Sequence, residues 1–147
     1  MSLDIYLSHP IEQKDTVPVQ IWDDQGQWRE LTRAEWIAAF PHFSVDGDYP
    51  STETVYSSNM THNLGRMASE AGVYDCLWRP DENGITTAAQ MIEPLRAGIA
   101  LLESDPERFK PLSASNGWGT YAQFIPWLKE VLAACEMYRD ATVGVSR

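Results

Sequence analysis

Basic residues are scarce in this chain. Eleven Lys and Arg stand against 21 Asp and Glu, a formal net charge of −10 at pH 7. Nucleic-acid binding needs a basic face, so general affinity for a phosphate backbone is not expected. Histidine is sparser still, and His9, His42 and His62 stand at no metal-ligand spacing, so no metal site is expected. Cys76 and Cys135 match no metal or redox motif. Two such thiols are expected to behave as small buried hydrophobes in a reducing cytoplasm. The opening Met-Ser-Leu-Asp lacks the basic and apolar regions of a signal peptide. No uncharged apolar run approaches the ~20 residues of a membrane span, so no membrane association is expected. The phosphate-loop, nucleophile-elbow and H-E-x-x-H patterns are missing too. No catalytic residue and no cofactor is assigned on motif grounds.

What the chain does have is an ordinary globular balance, 44% hydrophobic and 22% charged over 147 residues, with an aromatic share of 11%. That length suits one domain. The acidity is uneven. Residues 1–53 hold 10 acids and 3 bases, whereas residues 54–147 hold 11 acids and 8 bases. The segment 9–51 therefore reads as an acidic elaboration on a single domain spanning 1–147. Its carboxylates are scattered rather than arrayed, which disfavours a DNA mimic.

The pattern predicts an α+β fold. L-D-I-Y-L at 3–7 alternates with period two and reads as a strand, as do residues 53–58 and the closing A-T-V-G-V-S at 141–146. V-P-V-Q-I-W and Q-W-R-E-L, near 17–31, predict a hairpin about Gly26. D-G-D at 46–48 signals another turn. Together these imply a small antiparallel or mixed sheet packed by three to four helices. The C-terminal strand is expected beside 3–7 or 53–58. Thr32 with Glu35 marks a helix start at 33–40, Thr87 with Gln90 one at 87–103, and Thr120 with Gln123 one at 121–139. Another helix is expected from 61 to 71, closed by Gly72, with Leu64, Met67, Ala68 and Ala71 on its core face. Pro94 should kink or split the 87–103 helix, and Asp105-Pro106-Glu107 predicts a short turn of its own.

Three polar-aromatic segments stand out: N-M-T-H-N-L-G-R at 59–66, L-W-R-P at 77–80 and N-G-W-G-T-Y at 116–121. With I-E-P-L-R and D-P-E-R-F, they make the chain resemble a family of short proteins of tailed bacteriophages and prophages. The likeness covers residues 53–147 and the first strand. The segment 9–51 departs from it, being longer and more acidic. It implies a phage product acting in the host cytoplasm, where host takeover or counter-defence is a common task. It carries over no activity.

The residues themselves suggest a binding site. Asn59, Thr61 and Asn63 sit at a strand-to-helix junction, where free N–H groups favour an anion. His62 and Arg66, four apart, are expected to be neighbours on the helix surface, on a face turned away from the core. They would be solvated unless a second subunit or a loop covers them. Trp78 reads as packing, while Arg79, held extended by Pro80, offers a forked donor. In the last segment two glycines flank Trp118 and free the backbone to approach a ligand, while Asn116 and Tyr121 add an amide and a hydroxyl. The bland alternative there is a helix-capping glycine and a packed Trp. A stacking ring, Arg donors and a helix start suit a nucleotide. The leading expectation is thus a small anionic, nucleotide-type ligand, sequestered by a homo-oligomer. Two alternatives stand beside it: a protein-binding inhibitor or structural phage protein using its acidic surface, and a metal-independent hydrolase or phosphodiesterase centred on His62.

Overall fold

The computed structural model of the chain describes residues 2–10, 16–42 and 52–147. The D-G-D turn at 46–48 lies outside the described residues. The fold is a small α+β arrangement in two compact units, Met1–His9 with Thr54–Arg147, and Pro10–Glu53.

In the larger unit, β1 (Ser2–Pro10), β4 (Thr52–Thr61) and β5 (Thr142–Ser146) form a sheet in the order β4-β1-β5. β5 runs antiparallel to β1, with Ile5 opposite Val145 and Leu7 opposite Val143. Alternation explains the pairing. Leu3, Ile5 and Leu7 are fully buried and Val143 and Val145 pack on the same core, while Tyr6 faces outward opposite Gly144.

That core is closed by two 17-residue helices, α4 (Ala88–Ser104) and α6 (Tyr121–Met137), which pack on one another. Met91, Ile92, Leu95, Ile99 and Leu102 of α4 and Phe124, Trp127, Leu128, Val131 and Cys135 of α6 are buried, as helical spacing requires. α4 is not split at Pro94. Only one backbone bond is lost there, and buried Met91, Ile92 and Leu95 hold the helix together on either side. Shorter helices fill the connection: α2 (Gly65–Glu70), α3 (Tyr74–Trp78) and α5 (Pro106–Phe109), with Pro106 opening the last.

The smaller unit pairs β2 (Thr16–Trp22) with β3 (Trp28–Thr32) around Gly26, whose φ is 76°. Helix α1 (Arg33–Ala39) follows, with the reciprocal Thr32–Glu35 capping box in place. Arg29 grips the same Glu35 at 2.6 and 2.8 Å. That bond, with the N–H of Thr32, pulls the Glu35 carboxyl down to about 2. Among the described residues of this unit, Val17 and Leu31 are the buried hydrophobics.

Candidate functional site: a neutral cleft around Trp118

The loop between α5 and α6 is held by side-chain amides. Asn116 Oδ1 accepts the N–H of Trp118 at 3.0 Å. The Trp118 carbonyl accepts Asn63 Nδ2 at 2.8 Å across 55 residues of sequence. Gln123 Oε1 accepts the N–H groups of Gly119 and Thr120 at 3.2 and 3.0 Å, closing the capping box of α6. Gly117 and Gly119 take φ of 78° and 102°, a region costly to any residue with a side chain. So fastened, the loop presents Trp118 with 73% of its surface exposed. An indole so displayed cannot be explained by core packing.

Trp118 forms one wall of a cleft of about 910 Å³, lined also by Asn59, Thr61, Asn63, Asn116 and Gln123. Ser2, Met60, Gly117 and Gly119 complete the described lining. Asn59 is anchored by donating to Asp4 at 2.5 Å, and Thr61 by accepting the N–H of Asn63. Among the described residues, Asn116 Nδ2, Gln123 Nε2 and the oxygens Asn59 Oδ1 and Asn63 Oδ1 have no protein partner. The cleft thus offers donors and acceptors around a flat aromatic surface. None of the described residues lining it is charged.

Of the nine residues predicted to bind, Asn59, Thr61, Asn63, Asn116 and Trp118 meet here, and four lie elsewhere. His62 does not lie on one α-helix with Arg66. It opens a 3-10 turn (His62–Leu64) ahead of α2, where the rotation per residue differs from that of an α-helix. Its Nδ1 accepts the indole N–H of Trp78 at 2.9 Å. Trp is a donor only, so Nδ1 is the acceptor of that bond. Arg66 is exposed on α2, outside the cleft lining. Arg79 is bound to Glu82 at 2.6 Å, which raises its already high pKa. Tyr121 is spent on structure, donating its hydroxyl to the Leu102 carbonyl at 2.7 Å and its N–H to Ser113.

L-W-R-P is a structural hub. Trp78 is buried and stacks on Tyr74, centroids 5.3 Å apart at 6°. Arg147 reaches from the chain end to the Trp78 carbonyl and to Asp81 and Glu82. Sequence reasoning missed Ser2, Met60 and Gln123 as cleft residues. Gln123 was visible as the capping partner and Met60 lies inside the 59–66 segment, whereas nothing local marks Ser2.

The start of α6 borders the cleft, and two of its first-turn N–H groups are already engaged. Those of Tyr121 and Gln123 go to Ser113 Oγ and Thr120 Oγ1. The described residues include no group of three or more His, Cys, Asp or Glu placed to hold a metal ion. They include no helix long and apolar enough to cross a membrane. Fold and site together define a small α+β protein with a cleft of amides around an indole, uncharged in its described lining. No family model, curated protein or solved structure matches the chain.

Proposed function

We propose that the chain is a small-molecule binding protein whose cleft takes a nucleotide-type ligand by its base. The observation that carries this reading is Trp118, 73% exposed on a loop tied by Asn63, Asn116 and Gln123. Stacking a base on an aromatic ring is worth ~1–3 kcal/mol. The unpaired amide groups supply both donors and acceptors for a base edge, and the loop is already ordered, which lowers the cost of binding. A phosphate gains less, because the described lining holds no Arg or Lys. A nucleoside is therefore expected to bind within about threefold of its monophosphate, as weak solvent-exposed charge effects allow. The same lining holds no titratable side chain among the described residues, so it supplies no general acid or base. That supports capture over cleavage.

The resemblance to bacteriophage proteins supplies the setting. On that likeness the protein acts in the host cytoplasm and withdraws a nucleotide signal from a defence response. The shared N-x-T-H-N-L-G, L-W-R-P and N-G-W-G-T-Y motifs are its whole support. A homo-oligomer fits the same reading, since a second copy could close over the exposed indole.

Capture is tested by incubating the protein with nucleosides, nucleotides and disaccharides, desalting, denaturing and weighing what is released. Intact nucleosides or nucleotides should come from the native chain and not from Trp118→Ala. Retained disaccharides, or equal retention by Trp118→Ala, would overturn the reading. Hydrolysed products would make the protein an enzyme instead.

A further inference from the structure

The hairpin of the smaller unit carries a feature that the cleft does not use. Trp22 and Trp28 are register partners where the hairpin closes, and they remain 60% and 65% exposed. Their rings meet edge to face, centroids 5.3 Å apart with planes at 78°. Paired indoles left in water are an apolar patch of the kind that marks interaction sites. The turn holds them in place. Asp23 Oδ1 accepts the N–H groups of Gln25 and Gln27, both at 2.9 Å, and the Asp23 N–H donates to the Gln27 carbonyl.

Charge decides what fits there. Gln20 and Glu30 are the next register pair but one, so alternation puts them on the same face as the two indoles. Glu30 Oε2 accepts from Thr16, leaving Oε1 without a partner among the described residues. The nearby Arg29 lies on the opposite face, already gripped by Glu35. Asp23, Asp24 and Glu30, set against Arg29 and its partner Glu35, leave the tip with a net negative charge beside two electron-rich ring faces, and such faces attract cations.

We propose that this hairpin tip is a docking surface for a basic protein segment. In it an Arg or Lys side chain lies across Trp22 and Trp28 and its charged end reaches the Glu30 carboxylate. Arg is preferred because its planar guanidinium stacks on a ring and pairs with a carboxylate at once. Polyanions are repelled by the same carboxylates.

Titration of the full chain with a short peptide of alternating Arg and Gly tests this, followed by the indole N–H signals of Trp22 and Trp28. Saturable binding that weakens with salt is expected. Trp28→Ala, which leaves the charge unchanged, should weaken it about tenfold, and Glu30→Lys should weaken it as well. Met137→Ala, which removes an exposed apolar side chain far away in sequence, should leave it unchanged. Both indoles stand in solvent, so these variants keep the fold, as their amide spectra would show. Equal affinity in the native chain and Trp28→Ala would mean bulk attraction to an acidic protein and would overturn the proposal. So would a dimer in sedimentation that Trp28→Ala dissolves, because a second copy would then be the occupant.

Discussion

At Gly119 two constraints act together. Its φ is 102°, and a Cβ there would stand 2.9 Å from Thr61 Cγ2 and 3.2 Å from Asn63 Cβ. Gly119→Ala is expected to destabilise the protein by ~2 kcal/mol and to abolish ligand capture, since the loop must move away from β4. Gly72→Ala is the control. Its φ is 75°, yet nothing lies within 4 Å of the added carbon, so ~1 kcal/mol and unchanged capture are expected. Denaturant midpoints beside retained ligand separate the two. Sequence spacing marked Trp118 and its flanking glycines, because glycine around an aromatic is a local signal. It could not show that Asn63, 55 residues away, fastens that loop, because such a contact arises only when the fold brings the His62–Leu64 turn beside the loop ahead of α6. For the same reason Arg66 and Arg79 looked like ligand groups in sequence and lie outside the cleft in the structure.

Among the elements, the start of α6 couples stability to the site. Thr120→Ala removes the cap acceptor and should cost ~1 kcal/mol. Gln123→Ala should also weaken ligand capture, since Gln123 Oε1 holds the N–H of Gly119 as well as that of Thr120. Thermal melts with parallel capture assays check both, and equal capture losses in the two variants would argue against the coupling. Caps were the most legible signals in the chain. All three Thr-x-x-Glu/Gln boxes, at 32, 87 and 120, begin helices where the spacing placed them. The 61–71 segment was less legible. Strand β4 runs on to Thr61 and the turn from His62 is 3-10, with His62 accepting the Trp78 indole N–H. Spacing along one helix cannot show that partner.

For the molecule as a whole, the two thiols set an alkaline limit. Burial pushes Cys76 up to about 12 and Cys135 up to about 11, from an ordinary 9.0. Between those values the unfolded chain loses protons that the native chain keeps. This contribution is therefore complete below about pH 9 and declines as pH rises toward 11 and 12. Melting temperature should fall across that range, and less steeply in Cys76→Ala after allowing for its cavity. The larger unit's sheet and helices were largely legible, because alternation and helical stripes repeat along the chain. The neutral character of the cleft was not, because it depends on which side chains three distant segments bring together. Trp118 and the surrounding amides are proposed to receive a base. The most direct measurement is an amide and indole NMR titration of the full chain with a nucleoside. Shifts confined to Trp118, Asn59, Asn63, Asn116, Gln123 and the backbone around them are expected. An unmoved cleft, with changes instead at Arg66, Arg79 or the hairpin, would contradict that proposal.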